Sequence, residues 1–271
     1  MINKPGLSEN AGPAIEVCHA GFVYQDRNSE FTALRDIDLT VEKGQFICIA
    51  GQSGCGKSTL LSLLAGLRMP SAGTVKIGGR QVTGPDTDRA MVFQSYSLFP
   101  WMSAQQNVAF GILHSRRGLD KEAARRSARE FLTRVGMSGQ GDKYPYQLSG
   151  GMRQRVAIAR AFAMDPDIFL LDEPFGAIDT RMRAQLQILT EVLWENSGGD
   201  RKTVIFVTHD TEEALLLADR ILFMRTGCIA CDMALDIPRP RRQYVDDPRF
   251  KAAREKLLKL FYEEDCGENR Q

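Results

Sequence analysis

Gly51-Gln52-Ser53-Gly54-Cys55-Gly56-Lys57-Ser58-Thr59 is the stretch whose reading decides the fold. Before it runs Phe46-Ile47-Cys48-Ile49-Ala50, which has the composition of a short buried strand. After it comes Leu60-Leu61-Ser62-Leu63-Leu64-Ala65, good helix formers with an apolar face. Glycines on a strand-to-helix turn are the setting that a phosphate-binding loop requires. Gly51, Gly54 and Gly56 carry no Cβ, so the backbone can curl and turn its N–H groups toward phosphate oxygens. The helix N-terminus directs its partial positive charge to the same place. Lys57 supplies a full charge for β- and γ-phosphates, and Ser58 a hydroxyl for Mg²⁺. Gln52, Ser53, Cys55 and Thr59 complete the expected nucleotide-binding stretch.

The rest of the composition bounds what such a loop can belong to. A chain of 271 residues is one large domain or two small ones, and 43% hydrophobic content is ample for a core. Lys and Arg total 35 against 34 Asp and Glu, a formal charge of +1. That balance disfavours nucleic acid as a partner and gives no long-range field toward a membrane. No apolar run is long enough to cross a bilayer, and residues 1–14, polar with Pro5, Gly6, Gly12 and Pro13, read as a loose tail without a signal peptide. The expectation is a protein soluble by itself and cytoplasmic. The cysteines are scattered, at 18, 48, 55, 228, 231 and 266. Cys228 and Cys231 form a C-x-x-C without a second pair or a following helix, which reads as coincidence on a surface strand.

Along the chain, strand-like segments alternate with helices. Ile15-Glu16-Val17 begins an alternation, and Ile37, Leu39 and Val41 alternate with Asp38, Thr40 and Glu42 as a strand with one wet face. Thr74–Ile77 before Gly78-Gly79, Ala90–Phe93, Ile168–Leu171, Thr203–Val207 and Ile221–Met224 are further short strands. From about 95 to 165 the character is helical: 104–110, 120–135 and 152–163, with Arg116-Arg117 and Arg125-Arg126 on solvated faces. A long helix spans 180–196 and stops at Gly198-Gly199; another spans 210–218, where Asp210 and Glu213 are placed like a capping box. This order predicts a mostly parallel sheet covered on both faces, with a helical insertion. The expected division is a tail at 1–14, a phosphate-binding domain at 15–235 with a helical subdomain at about 95–165, and a basic, proline-containing extension at 236–271 ending in a helix near 248–262.

Several residues fall at strand ends, where open parallel sheets bind ligands. Asp172 suits Mg²⁺, directly or through water, and Glu173 suits polarising an attacking water. His209 follows the strand 203–207 within reach of a γ-phosphate. Gln94 follows Ala90–Phe93, and its amide can contact Mg²⁺ or the attacking water. Leu148-Ser149-Gly150-Gly151-Met152-Arg153-Gln154-Arg155 opens a helix with a hydroxyl and free N–H groups, a second anion site. Two anion sites suggest that ATP is gripped by two surfaces.

The order of these stretches resembles the nucleotide-binding subunit of ATP-binding cassette (ABC) transporters over nearly the whole chain. Residues 51–59 resemble the Walker A motif, and 148–154 the LSGGQ signature, with Met152 where glutamine is usual. Residues 168–173 resemble Walker B with its catalytic glutamate, and Gly176-Ala177-Ile178-Asp179 the D-loop. Gln94 matches the Q-loop and His209 the switch histidine; Tyr24, with Phe22 as rival, lies where the family stacks an aromatic on adenine. The resemblance implies a P-loop NTPase fold: a mostly parallel core, an antiparallel β subdomain and a helical insertion. It also implies a head-to-tail homodimer with two ATPs, Lys57 of one copy and Ser149 of the other sharing a nucleotide. The implied partners are an integral membrane permease and, indirectly, a solute-binding protein, with the chain peripheral on the cytoplasmic face of the inner membrane. Ser97-Leu98-Phe99-Pro100-Trp101-Met102 is the expected permease contact. Residues 172–179 resemble import-type cassettes, and Leu98-Phe99-Pro100-Trp101 with Pro238-Arg239-Pro240-Arg241 resembles the nitrate/sulfonate/taurine branch.

Two other classes fit less of the chain. DNA-repair relatives carry a long coiled coil between Walker A and the signature, and translation-factor relatives carry two cassettes. A small-molecule kinase with a phosphate loop leaves Ser149–Gly151 unexplained.

Overall fold

The computed structural model describes residues 12–26, 29–95, 97–115, 119–176, 178–195 and 201–262. The expected tail up to residue 11, Arg116-Arg117, Ala177, Gly198-Gly199 and Cys266 lie outside the described residues.

Two sheets organise the chain. Strands β1 (Ile15–Asp26), β2 (Ser29–Val41), β4 (Ala72–Ile77) and β5 (Arg80–Gln81) form an antiparallel sheet in the order β2-β1-β4-β5. Strands β3 (Phe46–Gly51), β6 (Arg89–Val92), β7 (Ile168–Asp172), β8 (Thr203–Thr208), β9 (Arg220–Arg225) and β10 (Cys228–Ala234) form the second sheet, ordered β10-β9-β3-β8-β7-β6. All its pairings are parallel except β10 with β9. Successive side chains on a strand point to opposite faces, so a strand covered on both sides must be apolar throughout. Phe46, Cys48 and Ala50 enter one core with Phe206, Phe169 and Leu171, whereas Ile47 and Ile49 enter the other with Ile205, Val207 and Leu170. That division explains the unbroken apolar runs.

Seven α-helices among the described residues accompany the sheets: α1 (Lys57–Leu64), α2 (Ala104–Ser115), α3 (Lys121–Arg134), α4 (Gly150–Met164), α5 (Thr180–Glu195), α6 (Thr211–Leu217) and α7 (Pro248–Tyr262). None is long and apolar enough to cross a membrane. Helices α2, α3 and α4 form the helical insertion, packed through small residues such as Ala104, Ala124, Ala128 and Ala157. Gly111 belongs to this contact, because a Cβ there would lie 2.9 Å from Arg160 Cγ. Trp194 is fully buried at the far side of the sheet, edge-on to Phe46, its Nε1 donating to the Lys202 carbonyl at 2.7 Å. Burying such aromatics contributes about 1.5–3 kcal/mol each. Helix α7 buries Phe250 and Leu257 in the same core.

Three expectations change in detail. Ala14, expected in the loose tail, is buried and accepts a hydrogen bond from the Gly78 N–H, so it packs with the first sheet. Helix α4 starts at Gly150, two residues earlier than expected, because Ser149 caps it. The capping box at Asp210 and Glu213 does not form. Asp210 caps α6 by accepting from the Glu212 and Glu213 N–H groups, but the Glu213 carboxylate turns inward to Thr208 and Gln187. Cys228 and Cys231 lie half-buried on β10, the outer strand.

Candidate nucleotide site

The carboxyl ends of β3, β6, β7 and β8 lie side by side, and each delivers one part of the site. After β3 the loop 51–56 curls with φ of +150° at Gly51, +81° at Gly54 and +105° at Gly56. At Gly51 a Cβ would lie 2.3 Å from the Met224 carbonyl oxygen, and at Gly56 2.6 Å from that of Ala33, so only glycine fits either position. Lys57 is buried and folds back into its own loop, its ammonium donating to the carbonyls of Gly51 at 2.9 Å and Gln52 at 2.7 Å. Cys55 Sγ lies 3.8 Å from the same nitrogen; burial raises its thiol pKa, against the pull of Lys57. Gln52 and Ser53 are exposed at the loop tip, and the Gln52 amide reaches the Phe261 carbonyl at the end of α7.

Ser58, in the first turn of α1, donates to Asp172 Oδ1 at 3.1 Å. Burial raises the Asp172 pKa and neighbouring Glu173 adds to this; the Ser58 hydrogen bond and Lys57 oppose it. Glu173 takes a left-handed φ of +43°, while its N–H still pairs with the Val207 carbonyl at 3.0 Å. Such a conformation is costly for a residue with a Cβ and recurs at functional sites. It sets the carboxylate between two partners: Gln94 Nε2 donates to Oε2 at 3.0 Å, and His209 Nδ1 lies 3.3 Å from Oε1.

At the outer edge, Tyr24 and Phe22 meet edge to face with centroids 4.9 Å apart, and the Arg68 guanidinium sits over both rings. The Tyr24 hydroxyl is 3.2 Å from Thr59 Oγ1, which ties this aromatic pair to the phosphate loop.

The second anion site stands apart. Ser149 is exposed and its Oγ accepts from the Met152 N–H at 3.3 Å, leaving Gly150 and Gly151 in the open first turn of α4. Asp179 is exposed and caps α5 through the Met182 N–H. Among the described residues, no hydrogen bond or ion pair joins Ser149, Gly150, Gly151 or Asp179 to residues 51–59. Within one chain the two expected anion sites therefore stand apart.

Some contributors escaped the sequence reading. Asn107, fully buried on α2, pins the loop 99–103: Oδ1 accepts from the Phe99 N–H, and Nδ2 faces the carbonyls of Phe99, Met102 and Ser103. Its signal is a polar residue within the stripe Ala104, Val108, Ile112. Glu213, expected as half of a capping box, is instead buried beside apolar Ala214–Leu217, and Arg183 reaches both it and Asp210.

Comparison with known proteins identifies the family. The ABC transporter family matches residues 34–176, more than half of the chain. The bicarbonate transport ATP-binding protein CmpC of Synechococcus elongatus is 44% identical over 250 residues; the match covers 90% of this chain but only 37% of that protein. The nitrate import ATP-binding protein NrtD of the same species is 41% identical over 247 residues, covering 89% of each. Among solved structures, the dimeric post-hydrolysis state of the ATP-binding cassette MJ0796, bound to ADP and Pi, superimposes with a TM-score of 0.75 at 32% identity, covering 82% of this chain and 98% of that one. The family match and the shared fold show that the chain belongs to the ABC transporter family as an ATP-binding cassette.

Proposed function

We propose that the chain is the ATP-hydrolysing subunit of an importer, working as a head-to-tail homodimer on a separate membrane permease. The observation that carries the reading is Glu173, held between Gln94 and His209 next to the Ser58–Asp172 pair. Glu173 accepts the proton of the attacking water, while Gln94 and His209 fix its orientation. Lys57 and the N–H groups of residues 51–59 hold the phosphates, Tyr24 (or Phe22) stacks on adenine, and Thr59 steadies Tyr24. The loop suits a phosphate chain, because its positive-φ glycines curl the backbone at the N-terminus of α1, where N–H groups and the helix dipole favour an anion. Ser58 and Asp172 form an all-oxygen pair that fits Mg²⁺, with Gln94 nearby. When bound, the ion offsets charge on the β- and γ-phosphates. The exposed turn Ser149–Gly151 and Asp179 of the second copy close over the same nucleotide, which accounts for two anion surfaces on one chain.

Relatives named for nitrate and bicarbonate import support a small solute of the nitrate/sulfonate/taurine class, delivered by a solute-binding protein. The loop held by Asn107 presents Trp101, 69% exposed, as the permease contact. On this reading the chain works peripherally on the cytoplasmic face of the membrane, without nucleic acid. The test is purification of the wild type and Lys57→Ala with neighbouring gene products. The reading expects ATP turnover, a hydrophobic permease in the complex, and loss of nucleotide affinity in the variant. Co-purifying RNA or DNA, or unchanged binding by Lys57→Ala, overturns it.

A further inference from the structure

The proline–arginine stretch 238–242 has no role in the reading above, and neither does the buried carboxylate of Glu213. The two are connected. Arg242 donates to Gln187 Oε1 at 2.6 Å, and Gln187 Nε2 donates to Glu213 Oε1 at 3.2 Å. Thr208 Oγ1 donates to Glu213 Oε2 at 2.7 Å and itself accepts from the Asp210 N–H at 3.0 Å. Thr208 and Asp210 flank His209, so the turn bearing His209 hangs from Glu213. Only 4% of Glu213 is exposed, and burial raises its pKa, the Thr208 hydrogen bond opposing. A small cavity lined by Glu173, Arg183, Thr208, His209 and Glu213 separates the buried carboxylate from the one at the site.

The stretch is itself anchored. Arg239 pairs with Glu191 at 2.9 Å and Asp219 at 2.8 Å, with its guanidinium over the Trp194 ring. Arg241 is buried and donates to the Ile237 carbonyl and to Asp219. Asp219 also accepts from the Phe46 N–H at the start of β3. A strap pinned this firmly gives Arg242 a fixed position, and a fixed donor orients the Gln187 amide at the next link.

We propose that residues 238–242 are a positioning strap for the switch histidine, acting through Arg242, Gln187, Glu213 and Thr208 to keep His209 against Glu173. The proposal rests on the ATPase reading of Glu173 and His209. None of the four touches the reacting atoms; they set where His209 stands, and a small displacement of such a group costs rate without costing substrate affinity.

The test compares wild type, Arg242→Ala and Arg242→Lys for ATP turnover, thermal midpoint and amide hydrogen exchange. In the alanine variant kcat is expected to fall about tenfold while the KM for ATP stays within about twofold. Lysine, which keeps a donor, is expected to restore most of kcat. Exchange at Asp210, Glu212 and Glu213 is expected to quicken in the alanine variant, with residues 51–59 unchanged. Unchanged kcat in an active protein overturns the proposal. So does a fall that tracks the thermal midpoint and is not recovered by lysine. Wild-type protein without turnover would instead sink the ATPase reading, and exchange alone would then decide the strap: faster exchange supports it, unchanged exchange overturns it.

Discussion

Glu173 and His209 face each other across 3.3 Å, Oε1 to Nδ1, from the ends of adjacent parallel strands. Gln94 holds the other carboxylate oxygen at 3.0 Å, so both oxygens of Glu173 are positioned at the carboxyl end of the sheet. Glutamine at 173 keeps the size and hydrogen-bonding reach of the residue but cannot take a proton. Glu173→Gln is expected to bind ATP and to lose turnover by about 100-fold or more. ATP-bound dimer should then accumulate, visible by size exclusion with ATP in the buffer. A monomer that releases phosphate at the wild-type rate would contradict the role given to this carboxylate.

The three loop glycines make a graded prediction. Gly54 has open space around its missing Cβ, so Gly54→Ala meets only the left-handed backbone cost of about 1–2 kcal/mol. Gly51→Ala and Gly56→Ala add a collision with a carbonyl oxygen at 2.3 Å and 2.6 Å. Relieving such a clash costs about 1–3 kcal/mol more. Urea unfolding without nucleotide should rank Gly54→Ala well above the other two. Equal losses at all three would mean that the loop tolerates repositioning.

The apolar runs of β3, β7 and β8 and the glycine pattern at 51–56 were legible because each carries its own physical signature. A strand buried on both faces has no polar alternation, and a tight turn around phosphate needs positions without Cβ. What could not be read was the outcome of tertiary competition. Asp210 and Glu213 have the spacing of a capping box, yet Glu213 is taken by Thr208 and Gln187, the latter 26 residues away in the chain. Gln94 and Glu173 are 79 residues apart, and only the pairing of β6 with β7 sets their amide and carboxylate at 3.0 Å. The stretch 238–242 reads as charge and proline; its partners Glu191 and Asp219 become visible only when α5 and the end of α6 are packed.

His19 offers a titration that is independent of the nucleotide site. Its Nδ1 is 2.7 Å from Asp36 Oδ1, and Asp38 lies close as well. The hydrogen bond to Asp36, then the charges of Asp38 and Asp36, raise its pKa above the ordinary 6.5. The raised value favours the imidazolium in the folded state. Its stabilisation is complete below 6.5 and lost as pH rises through the folded value. Asp36 sits at φ +47°, a conformation asparagine tolerates, so Asp36→Asn keeps the turn while removing the charge. NMR titration should place the His19 midpoint above 6.5 in the wild type and lower in the variant. Coincident midpoints would remove Asp36 as the cause.

Asp172 sets stability against activity. Burial, then the neighbouring charge of Glu173, raise its pKa above the ordinary 3.8, with Ser58 and Lys57 pulling the other way. A carboxyl group with a raised folded pKa favours the protonated form in the fold. Stability therefore declines as pH rises from 3.8 through the folded value, and at neutral pH the carboxylate is a cost. Asp172→Asn removes that cost and keeps an acceptor for the Ser58 hydroxyl. Without nucleotide, the variant should unfold at a temperature no lower than the wild type, and the difference should shrink as pH falls toward 3.8. Turnover with Mg²⁺ and ATP should fall by about 10–100-fold, because an amide is a far weaker partner for a cation than a carboxylate. A variant that melted earlier yet hydrolysed ATP normally would reverse both halves of the argument, making Asp172 a structural anchor with no part in holding the ion.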